Sequence, residues 1–307
     1  MTPERRIILG LVLLLAALEV AVRQVEPWLS KDLAHVHSLS ELPERLAPGT
    51  GGVLVMGNSL ARCGIAPARL SAGLTGQPEV ALMVPDATAA IEWAWGYRRH
   101  VLHAGARPAL VILVTGRTHL FDPAHKQIER LGAFHVGGGG DRWRFLTNEL
   151  GGVEERASFL ISSVSRLYAD RGRIQPLVFY NFIPSYESSV NRINMAAGGG
   201  FSQEMEPNLE ESRGLANCQR LVDSVRESGA RLVVVTAPLP EPWSLPEAVS
   251  QLLKKNEVPV IPLGSEVRLS AERFPDGYHL DPAGAEIATA ALVKALGELG
   301  TQAKPPN

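Results

Sequence analysis

Ser59 follows an apolar run, Val53-Leu54-Val55-Met56, with only Gly57 and Asn58 between them. Such a run, stopped abruptly by glycine, reads as a buried strand that turns into a helix. In an open α/β sheet, ligands bind beyond the carboxyl ends of the strands, so a hydroxyl at this turn would face the crevice. Backbone N–H groups at the start of the next helix can stabilise a developing negative charge. A serine hydroxyl is a weak nucleophile and needs a base, and the base needs a group to orient it. Asp276-Gly277-Tyr278-His279-Leu280 offers both. In a tight turn, a spacing of three puts the Asp276 and His279 side chains on one side. The carboxylate can then hold one imidazole nitrogen and leave the other for Ser59. The chemistry predicted is acyl transfer through an acyl-serine. Taken singly, a strand-Gly-x-Ser turn, a loop histidine and a turn-forming aspartate are ordinary structural features.

The elements that must position these groups follow a regular rhythm. Strands are expected at Gly52–Met56, Val80–Val84, Ala109–Thr115, Arg231–Ala237 and Val258–Pro262, the last near an edge because of its prolines. Helices are expected over Leu60–Leu74 with a break at Pro67, over Ala87–Ala104 capped by Asp86, over Leu209–Ser228 and over Leu245–Asn256. Asp281-Pro282 starts a last helix whose apolar residues recur at helical spacing. Alternating strands and helices of these lengths argue for a parallel sheet with right-handed crossovers. The rhythm breaks over residues 117–208, an insertion with a helix expected over Phe145–Tyr168, glycine runs at 137–140 and 198–200, and an aromatic cluster at Phe179–Tyr186. It is either a lid or acceptor-binding wall, or a helical pack covering a sheet edge.

Gly57-Asn58-Ser59-Leu60 and Asp276-x-x-His279-Leu280 resemble the first and last blocks of the SGNH (GDSL-like) hydrolase superfamily, over roughly residues 50 to 300. The resemblance implies a flavodoxin-like three-layer α/β sandwich of about five parallel strands in the order 2-1-3-4-5, with Ser59 at the switch point between the first and third. It also implies a catalytic triad of Ser59, His279 and Asp276, and an oxyanion hole that needs no metal or cofactor. The first oxyanion donor would be the Ser59 N–H. The superfamily adds a glycine and an asparagine from its second and third blocks, and here the sequence departs from it. Val84-Pro85-Asp86-Ala87-Thr88 has no glycine, and Thr115-Gly116-Arg117-Thr118-His119 has no asparagine. Gly116 N–H, the Arg117 guanidinium or the Asn58 amide are the candidates to substitute.

The N-terminus adds a second theme. Arg5 and Arg6 precede an apolar run from Ile7 to Val22 interrupted only by Glu19. That run covers about 24 Å as a helix, slightly short of a hydrocarbon core of about 30 Å. Basic residues before it favour a cytoplasmic N-terminus, and without a clean cleavage site the segment reads as a single-pass signal-anchor. Glu19 is expected to snorkel outward. The organisation expected is therefore an anchor over 1–28, a stalk over 29–51, the α/β domain over 52–300 with its insertion, and a frayed tail over 301–307.

With 307 residues, 45% hydrophobic, the chain is long enough for one large domain with an insertion. A net charge of −2 and no long Lys/Arg run argue against nucleic acid. Cys63 and Cys218 make no metal-ligand or disulfide pattern and read as free thiols. Anchor, insertion and departures together resemble the branches that act on cell-envelope polymers, as in alginate O-acetylation and teichoic acid D-alanylation. That resemblance implies an acyl-ester substrate on an extracytoplasmic glycan or envelope polymer, with a membrane-bound acyl-donor protein as partner. A catalytically silent scaffold and a soluble lipase-like hydrolase are the alternatives.

Overall fold

The computed structural model describes residues 2–122, 127–185 and 214–300. It divides into two compact units, one formed by 1–37 with 127–202, the other by 38–126 with 203–307.

The second unit holds the sheet. Its strands are β1 (Val53–Met56), β2 (Val80–Met83), β3 (Leu110–Thr115), β4 (Arg231–Thr236) and β5 (Val260–Ile261), all parallel, in the order β2-β1-β3-β4-β5. Val53 pairs with Val80 on one side and Leu110 on the other. The chain therefore leaves β1 toward one neighbour and returns to the other, and the crevice opens where these crossovers diverge. β1 and β3 are buried throughout, and β2 and β4 nearly so, which is why these strands read as continuous apolar runs. Alternate residues serve opposite layers. Leu54, Met56, Val111, Leu113 and Val234 pack with Trp93, Tyr97, Leu221 and Val225. Val53, Val55, Ile112, Val114 and Val235 pack with Leu60, Leu70, Leu292 and Leu296. β5 is a short edge strand bounded by Pro259 and Pro262.

The helices depart from the expected boundaries in instructive places. The first is split into Ser59–Gly64 and Pro67–Gly73, as Pro67 requires. The next begins at Ala90, not Ala87, and its cap is Ala89. Asp86 does not cap it but pairs with Arg62 at 2.8 Å. The last helix, Pro282–Glu298, starts where expected, with the Asp281 carboxylate accepting from Gly284 N–H at 2.6 Å. The two thiols are free, Cys218 buried and Cys63 partly so. The 198–200 glycine run and the tail lie outside the described residues.

The first unit is helical. Its N-terminal helix, Pro3–Leu29, is long and apolar enough to cross a membrane and continues past Pro27. Its apolar residues from Ile7 to Leu18 are exposed. Glu19, expected to point outward, turns to the chain at 165–167 and remains partly exposed. It accepts from Ser165 Oγ at 2.9 Å, Arg166 N–H at 2.8 Å and Leu167 N–H at 3.0 Å, and pairs with Arg23 at 2.7 Å. Part of the expected insertion thus belongs with the N-terminal helix. The expected 145–168 helix is three: Gly140–Asn148, Val153–Val164 and Arg166–Ala169. Buried Asp32 accepts from Arg130 at 3.0 Å and Arg173 at 2.9 Å. Buried Asp170 has its carboxyl pushed up to about 7, by burial first and by the neighbouring Glu26 carboxyl, against the pull of Arg173. The segment 29–51 carries three short helices, Lys31–Ser38, Leu39–Glu41 and Leu42–Arg45. Leu33 and Val36 pack with Ala133 and Phe134, whereas Leu39, Leu42 and Leu46 join one sheet layer of the second unit.

Candidate active site

The β1 turn is built around Gly57. Its φ is +154°, and a Cβ there would lie 2.6 Å from both the Ala61 Cβ and the Val114 carbonyl oxygen. Only glycine lets the chain leave the strand this close to β3 and enter the helix within two residues. Asn58 then closes the turn. Its Oδ1 accepts from Leu60 N–H at 3.0 Å and its Nδ2 donates to Thr88 O at 3.0 Å. Trp93 Nε1 donates to Gly57 O at 3.1 Å and to Thr88 Oγ1 at 2.9 Å. The serine is thereby set on a buried, fully bonded scaffold at the first helical position.

The second part of the site is the loop before the last helix. Gly277 takes φ +79°, allowing the chain to double back. Phe274 and Leu280 pack with Ala288, and Arg273 pairs with Asp281 at 3.0 Å, fixing the loop ends. Ala66 N–H donates to Thr289 Oγ1 at 2.9 Å, tying the helices after Ser59 to the last helix.

These two parts bring Asp276, His279 and Ser59 into one line. Asp276 Oδ2 lies 2.7 Å from His279 Nδ1, and His279 Nε2 lies 2.8 Å from Ser59 Oγ. A carboxylate can only accept, so Nδ1 carries the proton and Nε2 is left to accept from the serine hydroxyl. Asp276 Oδ1 separately accepts from the N–H groups of Tyr278 at 2.9 Å and His279 at 2.7 Å. Burial raises the Asp276 carboxyl, but these N–H groups and the imidazole outweigh it and hold it at about 2. Ser59 is buried, His279 partly exposed and Asp276 exposed, so the line runs from the interior to solvent.

The oxyanion candidates are placed less simply. Ser59 N–H, at the first helical position, has no acceptor among the described residues. Gly116 N–H donates to His119 Nδ1 at 3.0 Å. The Asn58 amide is engaged as described, 3.4 Å from His119 Nε2. Arg117 is exposed two residues past β3. The β2 loop turns at Ala87 with φ +52°, a left-handed conformation usually left to glycine.

Sequence reasoning missed three residues of this scaffold: Thr88, Trp93 and His119. His119 is buried, with its pKa lowered to about 4 by burial, and is neutral. Since its Nδ1 accepts from Gly116 N–H, its proton sits on Nε2. The only signal was a histidine four residues past a strand end, and nothing in its spacing distinguished it from a surface loop residue.

No family model matches the chain, and comparison with curated proteins gives no match. Among solved structures, a catalytic mutant of an acetylxylan esterase from Geobacillus stearothermophilus is similar at a TM-score of 0.40 and 12% identity, over 82% of this chain and 96% of that one.

Proposed function

We propose that this chain is a membrane-anchored serine esterase or O-acyltransferase of the SGNH type. The observation that carries the reading is the unbroken hydrogen-bonded line from Asp276 through His279 to Ser59. His279 Nε2 takes the Ser59 proton as Oγ attacks an ester carbonyl. Asp276 keeps the ring oriented and stabilises the imidazolium that forms. Ser59 N–H is the donor placed to meet the tetrahedral oxyanion. Collapse expels the alcohol, which takes its proton from His279, and leaves an acyl-serine. Water or a sugar hydroxyl, deprotonated by the same imidazole, then accepts the acyl group.

The N-terminal helix supports a single-pass anchor with a cytoplasmic N-terminus and the triad outside. An exposed, bilayer-length apolar helix in a water-facing protein would otherwise be a large uncovered apolar surface. The substrate class that fits this placement is an acyl ester on an extracytoplasmic glycan or envelope polymer, with a membrane-bound protein as acyl donor.

One observation favours a second reading, a catalytically silent scaffold: Gly116 N–H and the Asn58 amide both have internal acceptors. A fluorophosphonate probe separates the two. The catalytic reading expects rapid labelling of the full chain, abolished in Ser59→Ala. Folded protein that takes no label, and loses no activity in Ser59→Ala, would establish the scaffold instead. Product analysis with and without a glycan acceptor then divides transfer from hydrolysis.

A further inference from the structure

The helix Val153–Val164 is amphipathic in the unexpected sense. Its inner face, with Phe159 and Ser162 buried, packs so closely that a Cβ on Gly132 would lie 2.6 Å from the Phe159 carbonyl. Its outer face carries Val153, Ala157, Leu160, Ile161 and Val164, all exposed, with Val153 at 85% and Val164 at 64%. At 100° per residue these five fall within one third of the helix circumference, opposite the buried side. An uncovered apolar stripe of this kind marks an interaction surface.

Its place relative to the N-terminal helix says what it meets. Glu19 and Arg23 interrupt and end that helix's apolar run. Arg6 to Arg23 spans about 26 Å of helix, less than a hydrocarbon core of about 30 Å, so Glu19 and Arg23 cannot both clear the far boundary of a bilayer. Both bond to the turn that follows the Val153–Val164 helix or to its last residue. Glu19 is held by the donors of Ser165, Arg166 and Leu167, and Arg23 donates to Val164 O at 2.6 Å. With Arg6 at the near boundary, Arg23 lies about 4 Å short of the far one, so its bond to Val164 O ties the carboxyl end of the Val153–Val164 helix to the anchor just inside the layer where lipid headgroups meet acyl chains.

Resting on the reading of Pro3–Leu29 as a membrane span, we propose that the Val153–Val164 helix lies in the outer lipid interface with its apolar stripe in contact with acyl chains. The protein is then seated on the bilayer by two elements, one crossing it and one lying in it. Glu19 is a joint between them, which accounts for an acidic residue inside an otherwise apolar run.

The test uses the full chain in lipid nanodiscs with a bimane on Ile161→Cys or Val164→Cys and on Leu13→Cys within the span, the parent chain labelled in parallel as blank. Nitroxide on the upper acyl chain should quench the Leu13, Ile161 and Val164 labels roughly twofold or more relative to the same nanodiscs without nitroxide. Quenching at Leu13 but not at Ile161 or Val164 overturns the interfacial helix and leaves the anchor standing. No quenching at any of them overturns the anchor and the proposal together. A photo-crosslinker at Ile161 that captures another protein in native membranes, with no lipid quenching there, assigns the stripe to a protein partner and likewise overturns it.

Discussion

Replacing Asp276 with asparagine isolates the orienting carboxylate from the fold. Asp276 Oδ1 accepts two backbone N–H groups and Oδ2 faces His279 Nδ1 at 2.7 Å. The amide oxygen of the replacement side chain can keep the two backbone bonds, so the loop survives. Its NH2 must then face Nδ1, which can only accept from it if its own proton moves to Nε2. That proton points at Ser59 Oγ, 2.8 Å away, and the base is lost. A misplaced tautomer in such a triad costs about 10³- to 10⁴-fold in kcat, or about 4 to 5.5 kcal/mol of barrier. The assay is hydrolysis of a small activated acetyl ester, with the fluorophosphonate labelling rate as a second readout and a denaturation midpoint to show that folding is intact. The carboxyl is held at about 2, so its sign is that of a depressed acid: its contribution is present above its ordinary value near 4 and is lost only as pH falls toward 2. An acid limb of wild-type activity above pH 4 therefore belongs to another group. A loss below about tenfold in D276N with folding unchanged would show that Asp276 does not orient the base.

Gly57→Ala should cost about 2 to 5 kcal/mol by denaturant melt, from overpacking against Ala61 and Val114 together with strain at φ +154°. Ala61→Gly in the same chain should recover only part of it, because the Val114 carbonyl remains; full recovery would locate the strain elsewhere. Neutral buried His119, lowered to about 4, binds its proton less readily folded than unfolded, so stability should fall by roughly 3 kcal/mol as pH drops from about 6.5 to about 4. His119→Gln should flatten that slope, and an unchanged slope would assign it to other groups. Asp170 titrates the other way: raised to about 7, it keeps its proton when the unfolded chain has lost it, so helices 166–182 should loosen as pH climbs from about 4 to about 7. Amide exchange at residues 166–173 reads this, and Asp170→Asn should remove the dependence.

Much of the architecture was legible because its causes are local or periodic. Strands buried on both faces must be apolar throughout, and β1 to β4 announced themselves within a residue or two of their ends. Asp281-Pro282 is a cap and first helical residue by chemistry alone, and the last helix starts there. Pro67 broke the first helix for the reason a proline always does. Asp86 misled because a capping residue type is common in turns, and here the chain spends three more residues reaching Ala90 while the carboxylate turns to Arg62.

The sequence by itself determined the strand–glycine–serine turn, the Asp-x-x-His turn and an apolar N-terminal helix, since each depends on residues adjacent along the chain. Only the tertiary structure decided that Ser59 and His279 meet at 2.8 Å, that His119 takes the Gly116 N–H, and that Glu19 bonds the turn at 165–167. Those contacts join residues that the chain keeps far apart in order, and no periodicity within a window records which distant polar group will satisfy a buried donor. The need for a partner is written locally, whereas its identity is settled by packing.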